Sequence, residues 1–341
     1  MKSNSFFVLG YFGFYSGQLD GQTVKTRSVH RLFEEKLGGK IAYYDTEKLK
    51  KSRWSLLPAL YLIIRTKHLI YLPAQNNLKQ FFPLLFVLSK LFRFQIHYFV
   101  VGGWLMKFIS EHPSFGVKLK EISGIYTETE KMQNGLQEEY KMNNVVVFPN
   151  FRFFLPQQTI AENNNGVLKL VFYSRINRKK GLQFIFELLT KINIPIEIDF
   201  YGPVNNEDRE YFESNISRFG NVKYLGVVNP ENVRDVLCKY DLLILPTMYY
   251  TEGLPGAVVD AYISGIPVLV TDWLHASEFV NHEHTGFIVP FENGLNEAIQ
   301  YLNRVDSDRN LLNMLKNKTL QEALRFSADN AWKIIKDKMQ L

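Results

Sequence analysis

The feature that most constrains this chain is a pattern that runs once, stops and starts again. In the first half, short apolar runs of strand length ("SFFVLGY", "KIAYYD", "HLIYLP", "FQIHYFVVGG", "GIYTET", "NVVVFPN") are mostly separated by helical stretches. The first such stretch is "KTRSVHRLFEEKLG", whose trailing Gly38-Gly39 suits a helix C-cap. A polar interval, "PQQTIAENNNGV" at 156–167, reads as a linker. The alternation then resumes with "LKLVFYSRI", "KGLQFIFELLTKI", "IEIDFYGP", "NVKYLGVV", "PENVRDVLCKY", "DLLILPT", "PVLVTD" and "GFIVP", and two or three helices close the chain. Strands alternating with helices form parallel sheets covered by helices. Two rounds predict an α/β chain of two Rossmann-like, doubly wound domains facing each other across a cleft, with ligands at the carboxyl ends of the strands. The expected divisions are a first domain at 1–155, the linker, a second domain at 168–324, and a C-terminal helix in 325–341 that crosses back onto the first. No fixed-period repeat is present, which excludes a solenoid.

The chain has 341 residues, 46% of them hydrophobic, enough for a core in each domain. One cysteine, Cys238, permits neither an internal disulfide nor a thiolate metal cluster, and seven scattered histidines show no zinc-like spacing. The start "MKSNSFFVLG" reads as a first strand without the basic n-region and cleavage site of a signal peptide, so a cytoplasmic setting is expected. A net charge of +6 points to acidic partners: nucleic acid, anionic lipid or phosphorylated substrates. No Walker loop, zinc finger or RNA-binding aromatic signature supports nucleic acid. Lys48, Lys50, Lys51, Arg53, Arg65, Lys67, Lys90 and Arg93 lie amid the apolar segments "SLLPALYLII" and "FFPLLFVLSKLF". Both segments are too short to span a bilayer. They read either as helices lying on an anionic membrane surface, which would be the inner face of the cell membrane, or as buried helices with solvated ends.

The chemistry concentrates in "YYTEGLPGAVVDAYISGIPVLVTD", residues 249–272. "DLLILPT" is a continuous apolar run, a central strand buried on both faces. Pro255 suits a first helical turn, with Gly265 and Pro267 ending the helix near 264. Glu252 then stands in the loop before the helix and Asp260 one to two turns inside it. The backbone N–H groups of 253–257 favour an anion, and Gly253 and Gly256 let a ligand approach the backbone. Amides for phosphate oxygens and two carboxylates for hydroxyls describe a sugar-nucleotide site; a capped helix with acids on its dipole would look the same. A second constellation, "VFYSRINRKKGLQFIFELL", puts Arg175 just beyond a strand and Lys180 at the next helix entrance, two cations where a diphosphate would need them.

"SRINRKKGL" followed by "YTEGLPGAVVDAYISGIPVLVTD" resembles the donor site of family 4 retaining glycosyltransferases of GT-B fold, of the type that builds bacterial polysaccharides. The resemblance covers most of 168–291 and implies that Arg175 and Lys180 bind the donor diphosphate. Glu252 would then bind the transferred sugar and Asp260 the ribose, the latter an Asp where the family usually has a Glu. It places Gly17, Gly202, Gly253, Leu254, Pro255 and Gly256 on the donor side. "GFYSGQLDGQTVKTRSV" resembles the family's glycine-rich first loop, with Gly21, Lys25 and Arg27 toward an acceptor phosphate. Where relatives carry a His after a central strand, this chain has Gly102-Gly103-Trp104, and His97 falls inside the strand at a core position. The Gly102-Gly103 pair would instead let backbone approach the sugar. The implied activity moves a sugar from a nucleotide-diphosphate donor to a glycan or lipid-linked acceptor in capsule, exopolysaccharide or lipopolysaccharide assembly, with no metal or other cofactor. A nucleotide-sugar epimerase of the same fold and a non-catalytic sugar-nucleotide-binding protein remain as alternatives. "DSD" at 306–308 reads as helix-capping residues and "HEH" at 282–284 as a turn.

Overall fold

The structure is a computed structural model that describes residues 5–18, 20–155 and 166–341. Most of the interval read as a linker, 156–165, lies outside the described residues. The chain forms two compact units, Met1–Arg152 with Ala328–Leu341, and Phe153–Ser327.

The first unit holds β1 (Phe6–Gly10), β2 (Ala42–Asp45), β3 (His68–Leu72), β4 (Gln95–Phe99), β5 (Gly124–Thr127) and β6 (Val145–Val147). They form one sheet in the order β2-β1-β3-β4-β5-β6, every pairing parallel. β1 and β3 are buried along their whole length, the signature of a sheet covered on both faces. The helix Gly21–Leu37 leads from β1 to β2. It starts at a reciprocal capping box, with the Asp20 carboxylate accepting from the Thr23 N–H and the Thr23 hydroxyl from the Asp20 N–H. It stops at Gly38, whose φ of 67° closes the left-handed cap that few other residues adopt cheaply. His97 sits in the core as expected, between the His68 ring (3.3 Å) and the Tyr126 hydroxyl (3.2 Å). Burial first, then the charges of His68 and Lys338, push its pKa down to about 3, so the ring is neutral. The helix Ala328–Met339 belongs to this unit: Trp332 packs edge-on to Phe33, Ile335 is fully buried, and Asp329 pairs with Lys36 at 2.5 Å.

The second unit holds β7 (Leu168–Tyr173), β8 (Ile196–Tyr201), β9 (Val222–Tyr224), β10 (Leu242–Leu245), β11 (Val268–Thr271) and β12 (Gly286–Val289). Their order is β12-β11-β10-β7-β8-β9, again all parallel. The chain therefore winds outward from β7 in one direction, then returns to place β10 on β7's other side. That reversal makes a topological switch point between β7 and β10, where a doubly wound sheet opens a crevice at its carboxyl edge. The helix Gly256–Ile263 is buried from Ala257 to Ile263 and packs on the helix Arg309–Ala323.

Three details differ from the sequence reading. Arg325–Ser327, read as part of the C-terminal helix, stay with the second unit, where Phe326 is buried against Tyr262. Phe153–Leu155 also belong to the second unit rather than the first. The helix expected across "PENVRDVLCKY" is confined to Val233–Leu237, after a single tighter turn at Pro230–Asn232. Asp308 does cap a helix, accepting from the N–H groups of Asn310 and Leu311.

Candidate functional site

Two loops leave the sheet at the switch point of the second unit, 174–181 after β7 and 246–256 after β10. They are stitched together by backbone. The Met248 N–H donates to the Lys179 carbonyl at 2.8 Å, and the Thr247 hydroxyl donates to the same oxygen at 3.3 Å. Gly181 makes this approach possible: its φ is 89°, and a Cβ there would lie 2.0 Å from the Pro246 carbonyl oxygen. The Asn177 side chain accepts from the Lys180 N–H at 3.0 Å and fixes the turn that aims Lys180. Lys180 and Glu252, 72 residues apart in sequence, meet as an ion pair between Nζ and Oε2. The two side chains are only 11% and 17% exposed, so the pair is shielded from screening by water. The Thr247 hydroxyl also lies 3.3 Å from the same Glu252 oxygen, so its single proton is shared between that carboxylate and the Lys179 carbonyl.

Arg175 stands exposed one residue beyond Ser174, at the same sheet edge. Gly202, expected on the donor side, has a packing task there. With φ at 137°, its missing Cβ would fall 1.8 Å from the Ser174 carbonyl oxygen, so only glycine lets the end of β8 close on the segment carrying Arg175. Gly253, Leu254 and Pro255 are buried, and the Gly253 carbonyl accepts from the Trp273 indole at 3.3 Å. No side chain caps the helix Gly256–Ile263, whose Val258 N–H bonds the Pro255 carbonyl at 3.1 Å. Asp260 is 5% exposed in an otherwise apolar helix. The arrangement supplies cations for a diphosphate and carboxylates for hydroxyls, on one loop pair. Without an anionic ligand, Lys180 and Glu252 satisfy each other.

Sequence reasoning missed the residues that hold this geometry. Asn177 had a legible signal, an Asn three positions before Lys180. Thr247 and Gly181 had none, because their partners, Lys179 and Pro246, lie on the other loop.

In the first unit, the loop after β1 is pinned by acids at the end of β2 and just beyond it. The Phe12 and Phe14 N–H groups donate to Asp45, and the Tyr15 N–H donates to Glu47 at 2.9 Å. Gly17 adopts φ 64° in this loop and Gly21 opens the helix. Lys25 and Arg27, expected to face an acceptor phosphate, are engaged within the unit instead. Arg27 donates to the carbonyls of Phe12, Gly13 and Gln18, so it braces the loop. Lys25 is 4% exposed and bridges the Val100 carbonyl (2.8 Å) and the Glu128 carboxylate (2.7 Å). Its position on the helix explains this, since Thr26 and Val29 share its buried face. Burial lowers the Lys25 pKa and Glu128 opposes that shift. The other Glu128 oxygen accepts from the Gly102 N–H at 3.3 Å, so one carboxylate ties Lys25 to the Gly102-Gly103 turn.

Residues 168–305 match the family described as Glycosyl transferases group 1. The matched stretch takes in both switch-point loops. Relatives include an uncharacterized 41.2 kDa protein in the cps region of Klebsiella pneumoniae, 23% identical over 144 residues, covering 41% of this chain and 38% of that protein. A putative teichuronic acid biosynthesis glycosyltransferase of Bacillus subtilis, TuaC, is 30% identical over 115 residues, covering 33% of this chain and 27% of its own length. The chain thus spans about a third of the length of these relatives. Among solved structures, Anabaena Alr3699/HepE in complex with UDP and glucose superposes with a TM-score of 0.75 at 14% identity, covering 98% of this chain and 99% of that one. The fold is GT-B, as the resemblance of "SRINRKKGL" and "YTEGLPG" implies.

Proposed function

We propose that the chain is a retaining, metal-independent glycosyltransferase that moves a sugar from a nucleoside diphosphate to a lipid-linked glycan acceptor during assembly of a surface polysaccharide. The observation that carries this reading is the Lys180–Glu252 pair at the switch point of the second unit, at the sheet edge that also carries Arg175. Arg175 and Lys180 take the charge that develops on the leaving diphosphate, the task a bound metal performs in other transferases. Glu252, held by Thr247, orients hydroxyls of the transferred sugar. Asp260 takes the ribose hydroxyls, and the first-turn amides of the helix Gly256–Ile263 lie beside the phosphates. Retention follows from the likeness of "SRINRKKGL" and "YTEGLPG" to family 4 enzymes. The TuaC and cps-region relatives support a polysaccharide acceptor.

The test is nucleotide release from a panel of UDP-, GDP- and ADP-sugars, with EDTA present and membrane lipid extract as acceptor. One donor is expected to release nucleotide. Glu252→Ala and Lys180→Ala should each lower that rate by roughly 10²–10³, as lost transition-state donors do. Nucleotide binding without release from any donor would favour a binding protein, and loss of all activity in EDTA would contradict metal independence. The product's anomeric configuration, read by NMR, tests retention.

A further inference from the structure

Between Lys48 and Arg93 the first unit carries nine Lys or Arg and no Asp or Glu. That exceeds the +6 of the whole chain, so the remainder is net acidic. Two helices in this stretch, Leu57–Ile63 and Gln75–Phe92, each have two apolar faces. The inner faces are ordinary: Ala59 and Ile63 in one, Leu78, Phe82 and Leu85 in the other, all buried. The outer faces are not. Trp54 (77% exposed), on the tighter turn just before the helix, is followed by Leu57 and Tyr61 at helical spacing with Leu62 alongside, and the run ends on Arg65, whose guanidinium lies 4.5 Å from the Tyr61 ring. On the longer helix Leu84, Val87 (60%) and Leu91 (70%) form a second stripe at i, i+3 and i+7, turned well away from the buried one. The stripes adjoin, because Leu56 and Leu60 line one small apolar cavity together with Phe81 and Leu84.

We infer that this face docks on the surface of an anionic lipid bilayer. Contiguous exposed aliphatic and aromatic surface marks an interaction site. Its charge selects the partner. A second copy using the same patch would set cations against cations, which an isologous interface cannot relieve. An anionic bilayer offers the complement: an apolar interior for Leu57, Val87 and Leu91, an interfacial zone for Trp54 and Tyr61, and negative headgroups for Lys48, Arg65 and Lys67. No helix among the described residues is long and apolar enough to cross a membrane, so the contact is peripheral. The surface adjoins the loop after β1, where Lys51 lies 4.4 Å from the Tyr15 ring and Lys50 donates to the Tyr11 hydroxyl. If the transferase reading holds, docking delivers a lipid-linked acceptor beside that loop; the docking itself does not depend on that reading.

The experiment is sedimentation of the full chain with vesicles of phosphatidylcholine alone or mixed with phosphatidylglycerol. Wild type is expected on the mixed vesicles only, and to release as salt rises. A Trp54→Ser/Val87→Ser/Leu91→Ser variant and an Arg65→Glu/Lys67→Glu variant should each bind roughly tenfold more weakly or worse. Their melting temperatures should match wild type, since these side chains are exposed. Glu252→Ala should bind vesicles like wild type, which separates docking from transfer. Equal sedimentation with both lipids, no sedimentation with either, or full binding by both patch variants would overturn the inference. So would a dimer in light scattering that the triple substitution dissociates.

Discussion

Lys25 and Glu128 show how a single buried contact can redirect a cation from ligand to scaffold. Their side chains are 2% and 3% exposed, and each would be an uncompensated buried charge without the other. Glu128→Ala should therefore cost about 3–5 kcal/mol of stability in denaturant unfolding of the first unit. A role limited to acceptor binding would leave stability within about 0.5 kcal/mol of wild type. Glycines separate in the same way. Gly181→Ala and Gly202→Ala each force a Cβ onto a carbonyl oxygen at positive φ, and each should lose at least the roughly 1–3 kcal/mol of a strained backbone. Gly17→Ala meets no neighbouring atom and should lose no more than about 1–2 kcal/mol, the left-handed cost alone. Equal losses at all three sites would contradict the packing roles of Gly181 and Gly202. From the sequence Gly202 reads as a ligand contact, because the close approach that demands a glycine is made by Ser174, 28 residues earlier at the end of "LKLVFYSRI".

At the scale of elements, the strands were the most legible part, since continuous apolar runs such as "DLLILPT" leave few alternatives to a buried parallel strand. What the sequence did not contain was strand order, and strand order makes the site. Only the return of β10 to the free side of β7 sets the Lys180 turn against the Glu252 loop. The motifs gave their residue types; the register between them came from long-range contacts such as that of Lys179 with Met248. The pairing of β3 and β4 makes a second element-scale prediction. His68 and His97 are both held neutral, their pKa values pushed below 6.5 chiefly by burial. The unfolded chain therefore binds protons first as pH falls, and the stability they contribute is complete above about pH 6.5. It declines below that, for His97 as far as pH 3, at up to about 1.4 kcal/mol per pH unit per group. His97→Gln should flatten the acid side of the stability curve of the first unit. An unchanged slope between pH 6.5 and 4 would contradict this.

At the scale of the whole molecule, the chain leaves its first unit at Arg152 and returns to it at Ala328. Trp332 and Ile335 thereby become part of a core begun more than 300 residues earlier. Truncation after Ser327 should lower the melting temperature of the first unit and expose apolar surface to ANS, while the second unit melts as before. Loss of both transitions together would show a cooperative unit larger than either. The central claim is that the switch point of the second unit seats a nucleoside diphosphate through Lys180, with Glu252 as its resident competitor. Calorimetric titration of UDP, GDP and ADP into wild type, Lys180→Met and Glu252→Gln tests it most directly. One nucleotide should bind Lys180→Met about 10–100-fold more weakly, the worth of a charge-assisted hydrogen bond. The same nucleotide should bind Glu252→Gln at least as tightly as wild type, because the ammonium is released from its carboxylate. Identical affinities in all three proteins would contradict the account.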